Sequence, residues 1–397
     1  LAPALASWLL DDPSGGIYFR IMGFTLLFSG VQTVPLVVFR AEKKSLHYAL
    51  FSVASFVTGA LLSVYLVAGA HMGVLGTRVA NLVTTGLFAV IGLVLCRQRL
   101  TLRFSWQMLR TLLRYGLPLV PARFGSFALS RADRYFLRAF TDLSFTGLYH
   151  LGSQFGMAIN LLIVQPLQLI WLPTIFEMQH KPHARLFFQR MLTYYLLFSS
   201  WVALGLSLLS REVIAILATP AFYPAYKVVP WISFAYVAYG AYMVINVGIY
   251  VCDRTRDAWK IILASAALNL ALNFVLVPSY GILGAALAAL LSYVALFAFA
   301  WWLNRRIYPL QYEWDRIAKI LAVTALVLSI GQLVPENVPI ALLSKAVLLL
   351  GYWGLLYVVR FFQRAELIAA LRTVQDLGHR MKYSSLAQRA REDQSDR

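Results

Sequence analysis

Charged side chains are scarce in this chain. Only 13% of its 397 residues are Asp, Glu, Lys or Arg, and the 17 acids are outnumbered by 35 bases. With a mean hydropathy of +0.69, that scarcity excludes an ordinary water-soluble globule. Cysteine is nearly absent: Cys96 and Cys252 each end an apolar run, which excludes a disulfide framework and a clustered metal site. The six histidines are scattered. There is no G-x-x-x-x-G-K-[ST] loop for a nucleotide triphosphate, no H-E-x-x-H and no G-x-S-x-G. Neither catalysis, a cofactor nor a metal site is therefore indicated. Ten-residue apolar/polar alternation is also missing, which argues against a membrane β-barrel.

What the chain has is long apolar runs. They lie near 18–39, 46–68, 74–96, 112–138, 145–175, 187–209, 228–251, 258–278, 282–303, 317–334 and 338–360. A helix of about 20 residues crosses about 30 Å of hydrocarbon, so these runs predict an all-α integral membrane protein with about eleven transmembrane helices. The chain begins with Leu1 and shows neither a basic leader nor a small-residue cleavage site. The odd span count and the missing initiator suggest amino-terminal truncation.

The distribution of Lys and Arg sets an orientation. Arg40, Lys43 and Lys44, then Arg97, Arg99, Arg103, Arg110 and Arg114, then Lys181, Arg185 and Arg190 occupy alternate connections. Arg254, Arg256 and Lys260, then Arg305, Arg306, Arg316 and Lys319 continue the set. The opposite connections hold only Arg20, Arg138, Arg211 and Lys227. The positive-inside rule makes the first set cytoplasmic, residue 1 periplasmic and residue 397 cytoplasmic. The net charge of +18 thus follows topology, and nucleic acid is not an expected partner. Beyond residue 361 the sequence reads as an amphipathic cytoplasmic helix with a polar, disordered end.

An internal repeat is visible. "GVLGTRVANLVTTGLFAVIGLVL" (73–95) aligns with "GILGAALAALLSYVALFAFAWWL" (281–303), matching Gly73, Leu75, Gly76, Ala80 and Leu82 to Gly281, Leu283, Gly284, Ala288 and Leu290. The copies stand six spans apart and so run in the same direction. Parallel repeats imply two six-helix lobes, with a binding cavity at their interface. The expected organisation is an incomplete first lobe and connector at 1–111, a six-helix lobe at 112–304, two further spans at 305–360 and the tail at 361–397. Small-residue packing common to any helix bundle is the competing explanation.

The stretch "ARFGSFALSRADRYFLRAF" (122–140) departs from the economy of charge, with Arg123, Arg131, Arg134, Arg138 and Asp133. On one continuous helix from Arg114, Arg123 would lie about 13 Å deep. The arginines would share a face roughly 80° wide, with Asp133 to one side. An arginine at the bilayer centre costs about 2.5–3.5 kcal/mol or more, so it faces water or a partner. Arg134 and Arg138 have snorkelling to the headgroups as their alternative, and Asp133 a structural pair. Arg78 aligns with Ala286 and so breaks the repeat's symmetry. Guanidinium forks suit phosphate oxygens, which points to an anionic ligand. Gly116, Pro118, Pro121 and Gly125 predict a bend in the same helix. Gln154, Asn160, Gln165, Gln168, Asn246, Asn269 and Asn273 are positioned either to line a polar path or to bond between helices. Tyr236, Tyr239, Tyr242 and Trp171 either stack on sugars or form interfacial belts.

"LLRYGLPLVPARFGSFALSRADRYFLRAF…TGLYHLGSQFG" and "LNLALNFVLVPSYGILGAALAALLSYV" resemble segments of bacterial polysaccharide repeat-unit flippases of the Wzx type. These share a superfamily with multidrug (MATE) exporters and peptidoglycan-precursor flippases. The resemblance spans about residues 18–360, on loose patterns of Gly, Pro and Asp-Arg. It implies a MATE-like two-lobe fold and alternating access without ATP. It also implies translocation of undecaprenyl-diphosphate-linked oligosaccharides across the inner membrane, with membrane lipids and a polysaccharide polymerase as partners. Arg123, Arg131, Arg134 and Arg78 would counter the diphosphate, with Asp133 and Gln154 beside them. By that resemblance, the first helices of such proteins would be the part missing here. A MATE-like cation antiporter is the alternative, although intramembrane acids should then outnumber arginines. An O-antigen polymerase or ligase would have a large periplasmic loop, and none is present.

Overall fold

In the computed structural model, residues 16–42, 44–99, 105–117, 120–252, 254–333 and 338–362 are described. Their backbone is helical and contains no strand. In hydrocarbon a backbone must satisfy its own hydrogen bonds, and the helix does so within one segment. The described residues of the eleven apolar runs are almost wholly helical. Seven described helices are long and apolar enough to cross a membrane, and one of these carries two of the runs. The runs at 112–138, 317–334 and 338–360 are not among the seven; the first is interrupted by its arginines, and of the last only Leu342–Val358 counts, as a shorter apolar helix. The molecule is a multi-pass membrane protein.

The chain divides into two compact units, Leu1–Arg110 and Thr111–Arg397. In the first, α1 (Gly16–Ala41), α2 (Ser45–Val64) and α3 (Gly73–Leu95) form a small bundle. Phe39, Phe51, Phe88 and Cys96 make its apolar centre, with the Phe51 and Phe88 rings edge to face at 5.4 Å. Gln32 Nε2 donates to Ser55 Oγ at 3.0 Å and ties α1 to α2. Elsewhere these helices turn outward: Leu26 is 70% exposed and Phe56 76%, as befits side chains solvated by lipid.

The second unit begins with α4 (Trp106–Gly116), which spans the division, and α5 (Val120–Phe140). It continues with α6 (Leu143–Gly156), α7 (Gln165–Met178), the long α8 (Ala184–Leu217), α9 (Val229–Ile245) and the short α10 (Val247–Val251). Next come α11 (Thr255–Ile307), α12 (Trp314–Gln332) and α13 (Val338–Val358). Helix α8 is the hub. Leu192, Leu196, Leu204 and Leu208 recur at helical spacing and are buried. Gly240 of α9 leaves space for the Tyr195 ring, whose hydroxyl donates to Val237 O at 3.1 Å. Helix α13 docks on α8 through Trp201 Nε1, which donates to Leu349 O at 3.0 Å. The segment expected as an amphipathic helix after residue 361 lies, from 363 onward, outside the described residues.

The repeat is present in the backbone. Gly73 and Gly281, aligned by sequence, both have φ +55°. A Cβ on Gly76 would press on the Leu66 backbone, and one on Gly284 on the Leu276 backbone. Each copy thus turns tightly on its first glycine and packs its second against the preceding helix. The second copy does so within one continuous run: α11 breaks only at Gly281, where ψ is −126°. The first uses a π turn at Tyr65–Gly69 ahead of Gly73. A side chain at Gly281 meets no neighbour, so its cost is conformational. Gly281→Ala should destabilise the protein by about 1–3 kcal/mol. Thermal unfolding of the purified protein in detergent measures it, and an unchanged midpoint would refute the strain.

The arginine-bearing run is two helices, not one. The first ends at Gly116, the second starts at Val120, and Pro121 occupies the first turn of α5, where its missing N–H costs no helical bond. Arg123 therefore lies in the opening turn of α5, and a depth counted along one helix from Arg114 does not apply to it. Pro118, expected to contribute to a bend, lies outside the described residues.

Candidate functional site

Helix α5 packs through Gly125, Leu129, Ala132, Asp133 and Leu137, all buried. Gly125 admits Ile262 and Leu263 of α11 to close contact. This face puts Asp133 against the protein, to one side of the exposed Arg123, Arg131 and Arg138. Asp133 Oδ1 accepts from the Arg134 N–H at 2.9 Å, and Oδ2 accepts from the hydroxyl of Tyr149, itself fully buried. The carboxylate's anchor is thus a tyrosine of α6. Arg131 and Arg134 lie within electrostatic range of it.

One turn back along the same face the surface opens. A cavity of about 350 Å³ is bounded by Ser126, Leu129 and Ser130 of α5, Asn160, and Tyr236, Tyr239, Tyr242 and Met243 of α9. Asn246, Tyr250 and, from α11, Ile262, Tyr293 and Leu296 complete it. Tyr239 and Tyr293 stand 5.4 Å apart between ring centres and Tyr236 and Tyr293 5.9 Å, while Tyr239 stacks on Tyr242 at 6.1 Å. A recess of about 20 Å³, lined by Asp133, Arg134, Tyr149 and Ser153, shares Leu129, Ser130, Tyr236 and Tyr293 with this cavity. It has room for about one water. The Nε of Arg134 is buried without a hydrogen-bond partner among the described residues. The arrangement offers aromatic faces, hydroxyls and amides in the larger chamber, and one underused guanidinium at its end.

The arginine ladder is thereby sorted. Arg134 is half-buried and lines the recess. Arg123 and Arg131 are exposed, Arg123 within electrostatic range of Tyr239 and Arg131 of Tyr236. Arg138 is exposed two turns below Arg131. Gln154 is exposed, its Nε2 3.5 Å from His150 Nε2, and lines neither chamber. Arg78 belongs to the first unit, exposed on α3. Of the amides, Asn160 and Asn246 line the cavity. Asn269 and Asn273 are buried instead, Asn269 Nδ2 donating to Ser292 Oγ at 3.1 Å and Asn273 Nδ2 to Asn269 O at 2.9 Å. Asn269 thus joins the two arms of α11, and Asn273 bonds back to Asn269 within the first arm. Trp171 is core, edge-on to Phe188 at 6.0 Å.

Ser126, Ser130, Tyr250 and Tyr293 were not anticipated. A signal was present for the first three: 126, 129, 130, 133 and 134 follow helical spacing, and so do 236, 239, 243, 246 and 250, whereas Tyr293 had none. Tyr239 and Tyr242 are central to a chamber and do not form a belt.

The family of polysaccharide biosynthesis proteins matches residues 1–227. The chain belongs to that family. The match covers the first unit and, in the second, α5 with Asp133 and Arg134. An uncharacterized membrane protein of Methanocaldococcus jannaschii is 23% identical over 267 residues, 64% of this chain and 50% of that protein. The chain thus spans about half the length of the curated relative it matches. Among solved structures, the lipid II flippase MurJ in an inward-closed conformation superposes with a TM-score of 0.72 at 15% identity, over 88% of this chain and 75% of MurJ. A mutant MATE transporter of Vibrio cholerae gives 0.54 at 17% identity, over 75% of this chain and 72% of that one. These likenesses establish an all-α integral membrane fold of the flippase and MATE-exporter type.

Proposed function

We propose that this family member is a flippase for diphosphate-linked oligosaccharide lipids, translocating repeat units across the inner membrane for surface polysaccharide. The observation that carries this is the pairing of a tyrosine- and amide-lined chamber with Arg134 at its end. Flat apolar faces beside hydroxyls and amides match the two-sided chemistry of sugar rings. A guanidinium with an unused N–H matches a phosphate oxygen. The MurJ-like fold and the polysaccharide biosynthesis family support the same class. Arg131 and Arg123 add cations near the chamber, Arg78 supplies one in the first unit, and Asp133 orients the Arg134 turn while Gln154 remains a peripheral contact. The basic connections stand in the cytoplasm on this reading, residue 1 outside and residue 397 inside. The driving step is a change of conformation, without bond chemistry.

The test is rescue. The chain, expressed in a strain lacking its repeat-unit flippase, should restore surface polysaccharide, read by gel and by labelling of intact cells. Restored polysaccharide without gain of drug resistance in an exporter-deficient strain supports the proposal. Drug resistance without polysaccharide would make the protein a MATE-like exporter.

A further inference from the structure

Helix α4 separates its residues by side more sharply than the long apolar helices do. It is 11 residues long, reads WQMLRTLLRYG and contains no acid. At about 100° per residue, Gln107, Arg110, Thr111 and Arg114 share one side, and Trp106, Met108, Leu109, Leu112 and Leu113 share the other. The described residues leave that second side open: Met108 is 62% exposed and Leu112 61%. Arg110 and Arg114 are exposed as well.

Such a helix fits neither hydrocarbon nor water. Eleven residues rise about 16 Å, roughly half of the 30 Å that a spanning helix must cover. Upright in the bilayer it would carry Arg110 and Arg114 into hydrocarbon, at the cost that keeps such residues rare there. In water it would leave Trp106, Met108, Leu112 and Leu113 in contact with solvent. The setting that suits both sides is the plane of the headgroups, with the apolar side down and the guanidiniums at phosphate level. The chain holds α4 near that plane, because α3 ends at Leu95 and α5 begins at Val120. The local sequence is also basic. Arg97, Arg99, Arg103, Arg110 and Arg114 occur there, and no acid lies between Glu42 and Asp133. An anionic surface complements such a stretch.

We propose that α4 is an in-plane helix that docks on anionic phospholipid at the membrane surface. Trp106, Met108, Leu112 and Leu113 enter the boundary between headgroups and acyl chains, and Arg110 and Arg114 bond lipid phosphates. None of these residues lines the tyrosine chamber or its recess, so the docking is separate from recognition of transported cargo. The division between the two units falls at Arg110 and Thr111, inside this helix, so the leaflet holds their covalent connection.

Spin labels on the full chain test this, in vesicles of phosphatidylglycerol or phosphatidylcholine. The background is Cys96→Ala/Cys252→Ser, and Leu112→Cys or Gln107→Cys supplies a single labelling site. In phosphatidylglycerol the label at 112 should collide mainly with oxygen and lie about 5–10 Å below the phosphates. The label at 107 should instead meet a water-soluble nickel chelate. The wild-type chain, needing no substitution, provides a second measure. Amide exchange across 106–116 should be roughly twentyfold slower in phosphatidylglycerol than in phosphatidylcholine, about a factor of five for each arginine. Arg110→Gln/Arg114→Gln should erase that difference, with unchanged exchange in α8 showing that the variant folds. A label at 112 open to the chelate, or shielded from both reagents by a second copy or another element, would overturn the proposal. Equal exchange of the wild type in the two lipids would do so too, as would a difference that survives in the double variant.

Discussion

Lys345→Met alone should destabilise the protein by about 3–5 kcal/mol, and adding Glu212→Leu should recover most of that loss. Lys345 of α13 and Glu212 of α8 are both more than nine-tenths buried and 2.6 Å apart. Removal of the lysine leaves a buried carboxylate whose Oε2 already has no partner among the described residues, and there an uncompensated charge is far costlier than in water. Loss of both charges removes the attraction and the desolvation penalty together, so the double variant returns near the wild type. The pair thus determines where α13 may sit more than how tightly it is held. Unfolding of the detergent-solubilised protein, run as a double-mutant cycle, checks this. Additive losses would mean that the two groups do not interact, and a mild Lys345→Met phenotype would mean that water reaches Glu212.

Arg134→Ala should lower restored surface polysaccharide by about tenfold or more at equal protein level, while Arg138→Ala leaves it within about twofold. The recess places Arg134 beside Asp133 and Tyr149 with its Nε unpartnered among the described residues, whereas Arg138 is exposed at the far end of α5. A charge-assisted hydrogen bond of about 1.5–3 kcal/mol converts to roughly 10–150-fold in affinity. Arg134→Lys keeps the charge without the fork and should recover only part of the activity. The assay is the rescue experiment, with membrane levels measured by immunoblot. Equal export by Arg134→Ala and wild type would make the recess a packing feature and shift the anion site to Arg123, Arg131 or Arg78.

The helices were legible because the bilayer imposes a simple rule. A run such as 187–209 contains enough apolar residues to cross hydrocarbon, and no strand can do so alone; α8 duly forms there. The paired glycines were legible for a similar reason. Gly73 and Gly281 stand at equivalent points of a repeat, and both have the positive φ that a side chain resists. The break before α5 was less so, because Pro118 and Pro121 announce a disruption without saying whether a helix bends or restarts.

The candidate site was legible only in part. Composition and spacing drew attention to the arginines because charge in an apolar span is conspicuous, and Arg134 with Asp133 does line the recess. The chamber beside it was hidden, since tyrosine is equally at home in a core, a belt or a pocket. Tyr293 illustrates this: nothing within "LLSYVALF" distinguishes it from a lipid-facing ring. It becomes part of a site when the second arm of α11 brings it to 5.4 Å from Tyr239, more than fifty positions earlier. The Glu212–Lys345 pair was equally invisible, its members 133 positions apart in sequence. By itself, then, the sequence determined the membrane class, most of the apolar helices and the paired glycine turns, because each depends on local hydropathy and backbone freedom. Which arginine meets a recess, which asparagines merely join helices and which lysine is buried were decided only by tertiary structure. Those outcomes depend on how helix faces turn toward one another, and that is set by packing between residues remote in the chain.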